Sequence, residues 1–119
     1  MPRVLVVDDE AGVRESLRML LRGECEVVTA DSVERARAAL AESEVDLVVL
    51  DLVMPGRGGL ALLEDLAKRR KAPPVLVLTA TRLEETGARA RALGAADCIR
   101  KPFEVEALRR RVRELLRKA

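Results

Sequence analysis

The chain has 119 residues, 49% of them apolar, enough for one compact domain with a core and too apolar for a disordered segment. The net charge is +2, and the single aromatic residue, Phe103, argues against a nucleic-acid reader that stacks bases on rings. Histidine is absent, which removes His-based general-base catalysis, His-dependent zinc sites and any internal phosphohistidine relay.

The first element is the apolar run Val4–Val7 in "VLVVDDE", read as a strand buried on both faces that delivers Asp8 and Asp9 at its end. Val13, Leu17, Leu20 and Leu21 then share one face of a first helix, and Asp9 and Glu10 suit its N-terminus as caps. A weaker run, Val27–Val28, reads as an edge strand. Ala36, Ala39 and Leu40 mark a second helix, with Asp31 or Ser32 as N-cap.

The third run, Leu47–Leu50 in "DLVVLDLVMPG", delivers Asp51 before a turn at Pro55-Gly56. Leu60, Leu63, Leu66 and Ala67 mark a third helix, entered through "PGRGGL", which reads as a flexible loop. Val75–Leu78 in "PPVLVLTAT" delivers Thr79, followed by small Ala80. The fourth helix, Glu84 to Leu93, is weak: it contains Gly87 and offers Ala88, Ala92 and Leu93, so it is expected to be the least firmly packed. A weak fifth run around Cys98–Ile99 delivers Lys101 and Pro102. Val105, Leu108, Val112, Leu115 and Leu116 make a strong final stripe.

Five β–α units without a linker, repeat or low-complexity tract imply an α/β fold. The expected form is a doubly wound, five-stranded parallel sheet of flavodoxin-like (βα)5 type, strand order 2-1-3-4-5, as one domain over residues 1–119. Ligands of such sheets bind at the carboxyl ends of the strands where the winding reverses, here between the first and third. Asp8, Asp9, Asp51, Thr79 and Lys101 come from scattered positions, yet this fold gathers them on one rim.

Each has an ordinary reading alone: a helix cap, a strand-end hydroxyl, a surface cation. Asp51 is harder to dismiss, because it follows a buried run and no amphipathic helix begins at once after it. Two carboxylates about 4 Å apart repel by roughly 4 kcal/mol at an effective dielectric of about 20. Three of them need a compensating cation, of which Lys101 supplies only part. An all-oxygen set suits a hard divalent ion, with Mg²⁺ the expected one. Carboxylates, a hard cation, a lysine and a hydroxyl together suit phosphoryl transfer, and a carboxylate can itself be the nucleophile. The residues leave open which carboxylate attacks; Asp51 is favoured because Asp8 and Asp9 look like a paired metal seat.

Competing motifs are missing: there is no G-x-x-x-x-G-K-[ST], G-x-G-x-x-G or G-x-S-x-G. Cys25 and Cys98 are too few and too poorly spaced for a disulfide scaffold or zinc site, and read as buried thiols of a reducing cytosol. No signal peptide or membrane-spanning run is visible, so a cytoplasmic location is expected. Residues 100–119 carry eight Lys/Arg against three acids, a local +5, leaving −3 for the rest. The ordinary reading of that tail is a solvated helix face; the alternative is a surface for an acidic partner or nucleic acid.

Together, "VLVVDDE", "DLVVLDLVMPG", "LTA" and "GAADCIRKPF" resemble the receiver domain of two-component response regulators over essentially the whole chain. The resemblance implies that Asp51 accepts a phosphoryl group from a phosphohistidine on a partner sensor histidine kinase. It implies that Asp8 and Asp9 hold Mg²⁺ with Asp51 and the backbone carbonyl of Val53. Lys101 would pair with the phosphoryl oxygens, Thr79 would turn toward them, and the Lys101–Pro102 bond would be cis. Val53 and Thr81 would flank the phosphoryl group and tune water access. The readout would be the face of the fourth helix, fifth strand and fifth helix, acting on an output domain, a downstream partner or a second copy of the chain, with no direct nucleic-acid or membrane binding by this domain. One departure stands out: Cys98 occupies the place where the family usually carries a switch aromatic, so output would rely on Thr79, helix shifts or dimerisation. Two other readings compete: a receiver-like scaffold that binds partners without phosphorylation, and a Mg²⁺-dependent phosphohydrolase. Asp51 is followed by Leu52, Val53 and Met54, with no second acid to serve as general acid, which argues against turnover.

Overall fold

A computed structural model of the chain describes residues 1–52, 58–80 and 83–117. In chain order the elements are β1 (Arg3–Val7), α1 (Ala11–Leu21), β2 (Glu26–Ala30), α2 (Val33–Glu42), β3 (Leu47–Asp51), α3 (Gly58–Ala67), β4 (Val75–Thr79), α4 (Leu83–Ala92), β5 (Asp97–Arg100) and α5 (Val105–Arg117). The strands form one parallel sheet in the order β2-β1-β3-β4-β5, as the β–α alternation requires. None of the helices is long and apolar enough to cross a membrane among the described residues.

Period-two alternation divides the core into two layers. Leu5, Val7, Val48, Leu50, Val75 and Val77 face Ala36 of α2, the leucines of α3 and Ala90 of α4. Val4, Val6, Leu47, Val49, Leu76 and Leu78 face Leu17 and Leu21 of α1 and Leu108, Val112 and Leu115 of α5. The central strands β3 and β4 are buried at every position, whereas β2 and β5 carry part-exposed residues. That is why continuous apolar runs mark the former and weak runs the latter.

Several helix details differ from the sequence reading. The buried stripe of α3 is Gly59, Leu62, Leu63 and Leu66; Leu60 is half-buried and Ala67 exposed. A leucine-rich helix offers more than one stripe, and Gly59 chooses between them by closing on the end of β3. In α4 the small residues Gly87 and Ala90 turn inward, while Ala88 and Ala92 are exposed. Val105, the first residue of α5, stays 40% exposed, and burial begins one turn later at Leu108. At the start of α2, Ser32 rather than Asp31 is the cap, its hydroxyl oxygen accepting the Arg35 amide at 3.2 Å. Gly23 has φ +97° and Gly94 φ +109°, left-handed conformations that glycine adopts without Cβ strain. They turn the chain after α1 and α4.

Candidate functional site

Asp51 is the last residue of β3 and Thr79 the last of β4. Lys101 follows β5 directly, and its amide donates to the Thr79 carbonyl at 2.7 Å, continuing the ladder one residue past the strand. The Lys101–Pro102 peptide bond is cis, in agreement with the resemblance. Asp8 follows β1, and its amide donates to the Ala30 carbonyl at 3.1 Å. Parallel register thus sets the four strand ends side by side.

Asp8 is 1% exposed, Asp51 3% and Thr79 0%, the only buried polar or charged residues among those described. Burying carboxylates is costly unless they are paired, and Lys101 supplies the pairing. Its ammonium lies 2.8 Å from Asp8 Oδ2, 3.3 Å from Asp51 Oδ2 and 3.9 Å from Glu10 Oε1. Burial pulls the Lys101 ammonium down, but the Asp8 hydrogen bond and the charges of Asp51 and Asp8 outweigh it, so Lys101 sits above the ordinary lysine value. Lys101 is therefore a fixed cation at neutral pH.

The turn between β1 and α1 shapes the other half of the site. Asp8 Oδ1 accepts the Glu10 amide at 2.9 Å. Glu10 is the N-cap residue of α1, yet its side chain makes no capping bond. The capping reading of Asp9 and Glu10 therefore fails: Asp8 folds back to hold the turn, leaving both following acids exposed at the pocket mouth. Carboxylate oxygens of Asp8, Asp9, Glu10 and Asp51 all lie within 4.8 Å of one another. This hard, all-oxygen, partly water-facing donor set fits Mg²⁺, with Glu10, read from the sequence as a helix cap, as a further neighbour. Val53, Thr81 and the Pro55-Gly56 turn lie outside the described residues.

Two further features support the site and carried no distinctive sequence signal. A Cβ on Gly59 would stand 2.6 Å from Leu52 Cα and 2.9 Å from the Asp51 carbonyl oxygen. Only glycine allows α3 to start this close to the end of β3. Arg14 Nη1 donates to the Asp8 carbonyl at 2.8 Å. A cleft at the opposite end of the strands, lined by Leu40, Val45, Asp46, Pro73, Pro74 and Leu115, holds none of the expected site residues.

Part of the basic tail is engaged, while Arg100, Arg110 and Arg117 stay exposed. Arg109 and Arg113 both close on Glu24 Oε1, at 3.1 and 2.6 Å, tying α5 to the α1–β2 turn. Asp97, at the start of β5, receives Arg111 of α5 at 2.6 Å and Arg91 of α4 at 3.0 Å. Burial raises Asp97, but the Arg111 hydrogen bond, with those from the Cys98 amide and Arg91, holds it below the usual carboxylate range. Cys98 is a buried thiol facing the α2–α3–α4 layer, pushed up chiefly by burial. Cys25 lies in the other layer, pushed up to about 11 by burial and by Glu24.

Residues 4–113 match the family model of the response regulator receiver domain. The transcriptional regulatory protein ResD of Bacillus subtilis is 39% identical over 120 residues, covering 98% of this chain and 49% of its own length. The KDP operon transcriptional regulatory protein KdpE of Escherichia coli is 36% identical, covering 99% and 52%. The chain thus spans about half the length of the curated relatives it matches. The receiver domain of the Francisella response regulator 1452 superposes with a TM-score of 0.91 at 27% identity, covering 99% of this chain and 98% of that one. The receiver domain of NtrX from Brucella abortus gives 0.90 at 34%, covering 98% and 99%. This chain therefore belongs to the receiver domain family of two-component response regulators.

Proposed function

We propose that the chain, as a receiver domain over residues 1–119, is a phosphoacceptor switch in which Asp51 is the nucleophile. The observation that carries this reading is the Lys101 ammonium bridging Asp8 and Asp51 in a buried pocket, 2.8 and 3.3 Å away. A carboxylate oxygen of Asp51 attacks the phosphorus of a phosphohistidine on a sensor histidine kinase. The new P–O bond forms as the P–N bond breaks, and the imidazole leaves with the electron pair. Lys101 draws the phosphoryl oxygens toward Asp51. Asp8, Asp9, Asp51 and the Val53 carbonyl would hold Mg²⁺, which when bound neutralises charge on the transferring group. The chemistry is confined to the chain's own aspartate, and no second substrate is turned over.

Phosphorylation adds about −1.5 to −2 charge. Thr79 and Lys101 stabilise that charge more in one conformation than in another, which is what a population shift requires. The readout is the surface of α4, β5 and α5, where Asp97 already joins Arg91 to Arg111. It acts on an output domain, on a downstream partner that includes transcriptional regulators, or on a second copy of the chain. Cys98 in the aromatic's place leaves the signal to Thr79 and helix movement.

The test is incubation with acetyl phosphate and Mg²⁺, followed by intact-mass spectrometry. A single hydroxylamine-labile phosphoryl adduct that disappears in Asp51→Asn is the expected result. Partner binding with no adduct would favour a phosphorylation-independent scaffold. Multiple turnover of phosphomonoesters would favour a phosphohydrolase.

A further inference from the structure

Asp9 is exposed, whereas its neighbour Asp8 is 1% exposed. An exposed aspartate beside like charges gains by swinging its carboxylate into water, away from Asp8 and Asp51. Something must hold the backbone so that its carboxylate stays with the cluster.

Two bonds do so, one on each side of Asp9. The Asp9–Glu10 peptide is held by its nitrogen, which donates to Asp8 Oδ1 at 2.9 Å. The Asp8–Asp9 peptide is held by its oxygen, which accepts Arg14 Nη1 at 2.8 Å. The Arg14 amide in turn donates to the Glu10 carbonyl at 3.1 Å, so the arginine is anchored in the first turn of α1 before its side chain reaches back. Among the described residues the Arg14 guanidinium forms no ion pair, and its contact is the Asp8 carbonyl. Arg18, one turn later on α1, differs: it pairs with Glu15 and donates to Thr29 Oγ1 at 3.2 Å.

We propose that Arg14 is a positioning residue, locking the Asp8–Asp9 peptide so that Asp9 is presented to a divalent cation. This rests on the functional reading above and adds to it a residue that touches neither the cation nor the phosphoryl group.

The sign of the effect separates positioning from simple charge. If Arg14 acted only as a cation beside an acidic pocket, removing it would tighten Mg²⁺ binding. If it positions Asp9, removing it loosens binding, and loss of a supporting contact of this kind costs about tenfold in metal affinity. Calorimetric titration with Mg²⁺ of wild type, Arg14→Met, Arg14→Lys and Arg18→Met reads this directly. The expected result is weakening of about tenfold for Arg14→Met, partial recovery for Arg14→Lys, whose ammonium can still donate to the carbonyl, and wild-type affinity for Arg18→Met. Hydrogen exchange of the metal-free proteins gives an independent readout: the Glu10 amide exchanges faster in Arg14→Met, with the Arg35 amide at the Ser32 cap unchanged. Equal or tighter Mg²⁺ binding by Arg14→Met, with an unchanged Glu10 amide, overturns the inference while leaving the phosphoacceptor reading intact. Wild type that takes neither Mg²⁺ nor a phosphoryl group overturns both. If Arg14→Met fails to fold, Arg14→Lys decides alone, by weaker affinity and a faster Glu10 amide than wild type.

Discussion

Gly59 sits against Leu52 so closely that a Cβ on the glycine would lie 2.6 Å from the Leu52 α-carbon. The obstacle is backbone, with no flexible side-chain tip to give way. α3 therefore rests directly on the segment that leaves Asp51.

Gly59→Ala is expected to destabilise the fold by about 1–3 kcal/mol, the usual cost of overpacking. Helix propensity alone would predict a gain of about 1 kcal/mol from the same change. Urea unfolding distinguishes the two signs. Slower labelling of Asp51 by acetyl phosphate should accompany the loss, because the shift is transmitted to the Asp51 carbonyl.

Lys101→Met removes the shared cation and leaves two buried carboxylates facing each other. Breaking such a pair is expected to cost about 2 kcal/mol of metal-free stability. Added Mg²⁺ should recover part of it, since a ligand bound only by the folded state raises stability by mass action. Thermal unfolding with and without Mg²⁺ checks both parts. A variant as stable as wild type without metal would show that the pairing contributes nothing net.

Glu24 is held below the usual carboxylate value by the Arg113 hydrogen bond first, with burial opposing and Arg109 assisting. A lowered folded-state pKa contributes stability above the unfolded value of 4.5, lost as pH falls through the folded value. Glu24→Gln is therefore expected to lower the thermal midpoint by about 3 °C at neutral pH. That difference should begin to shrink as the pH drops below 4.5 and vanish only once it has passed the lower folded-state value, where the wild-type carboxylate protonates. A difference that persists undiminished at low pH would mean that shape, not charge, holds α5 to the α1–β2 turn.

Cys25 and Cys98 are both buried, and burial raises both thiols, Cys25 to about 11. The thiolate is the reactive form. Alkylation by iodoacetamide at neutral pH should be negligible in the native protein and rapid in denaturant. Fast native labelling of Cys98 would point to local opening of β5.

The sequence specified the parallel sheet and the residues at its strand ends, but not the supporting Gly59 or Arg14. Alternating apolar runs and helical stripes, with right-handed crossovers, leave little choice but a parallel sheet ordered β2-β1-β3-β4-β5. Once that order holds, residues that end β1, β3, β4 and β5 must meet, so Asp8, Asp51, Thr79 and Lys101 were legible from spacing alone. Hydrophobic pattern is a local property of each segment, and strand ends inherit their neighbours from topology.

Which polar group meets which was decided only in three dimensions. Glu24 finds Arg113 across 89 positions and Arg109 across 85; nothing in a charge count marks these arginines apart from Arg110, which stays exposed. Arg14 and Arg18 look alike on one helix, yet one reaches the Asp8 carbonyl and the other the Thr29 hydroxyl. Gly59 read as loop flexibility and proved to be a point of backbone contact. A long charged side chain can satisfy itself with any of several partners, and a glycine's missing atom matters only against what stands opposite. Both depend on distances that exist once the sheet and its helices have packed.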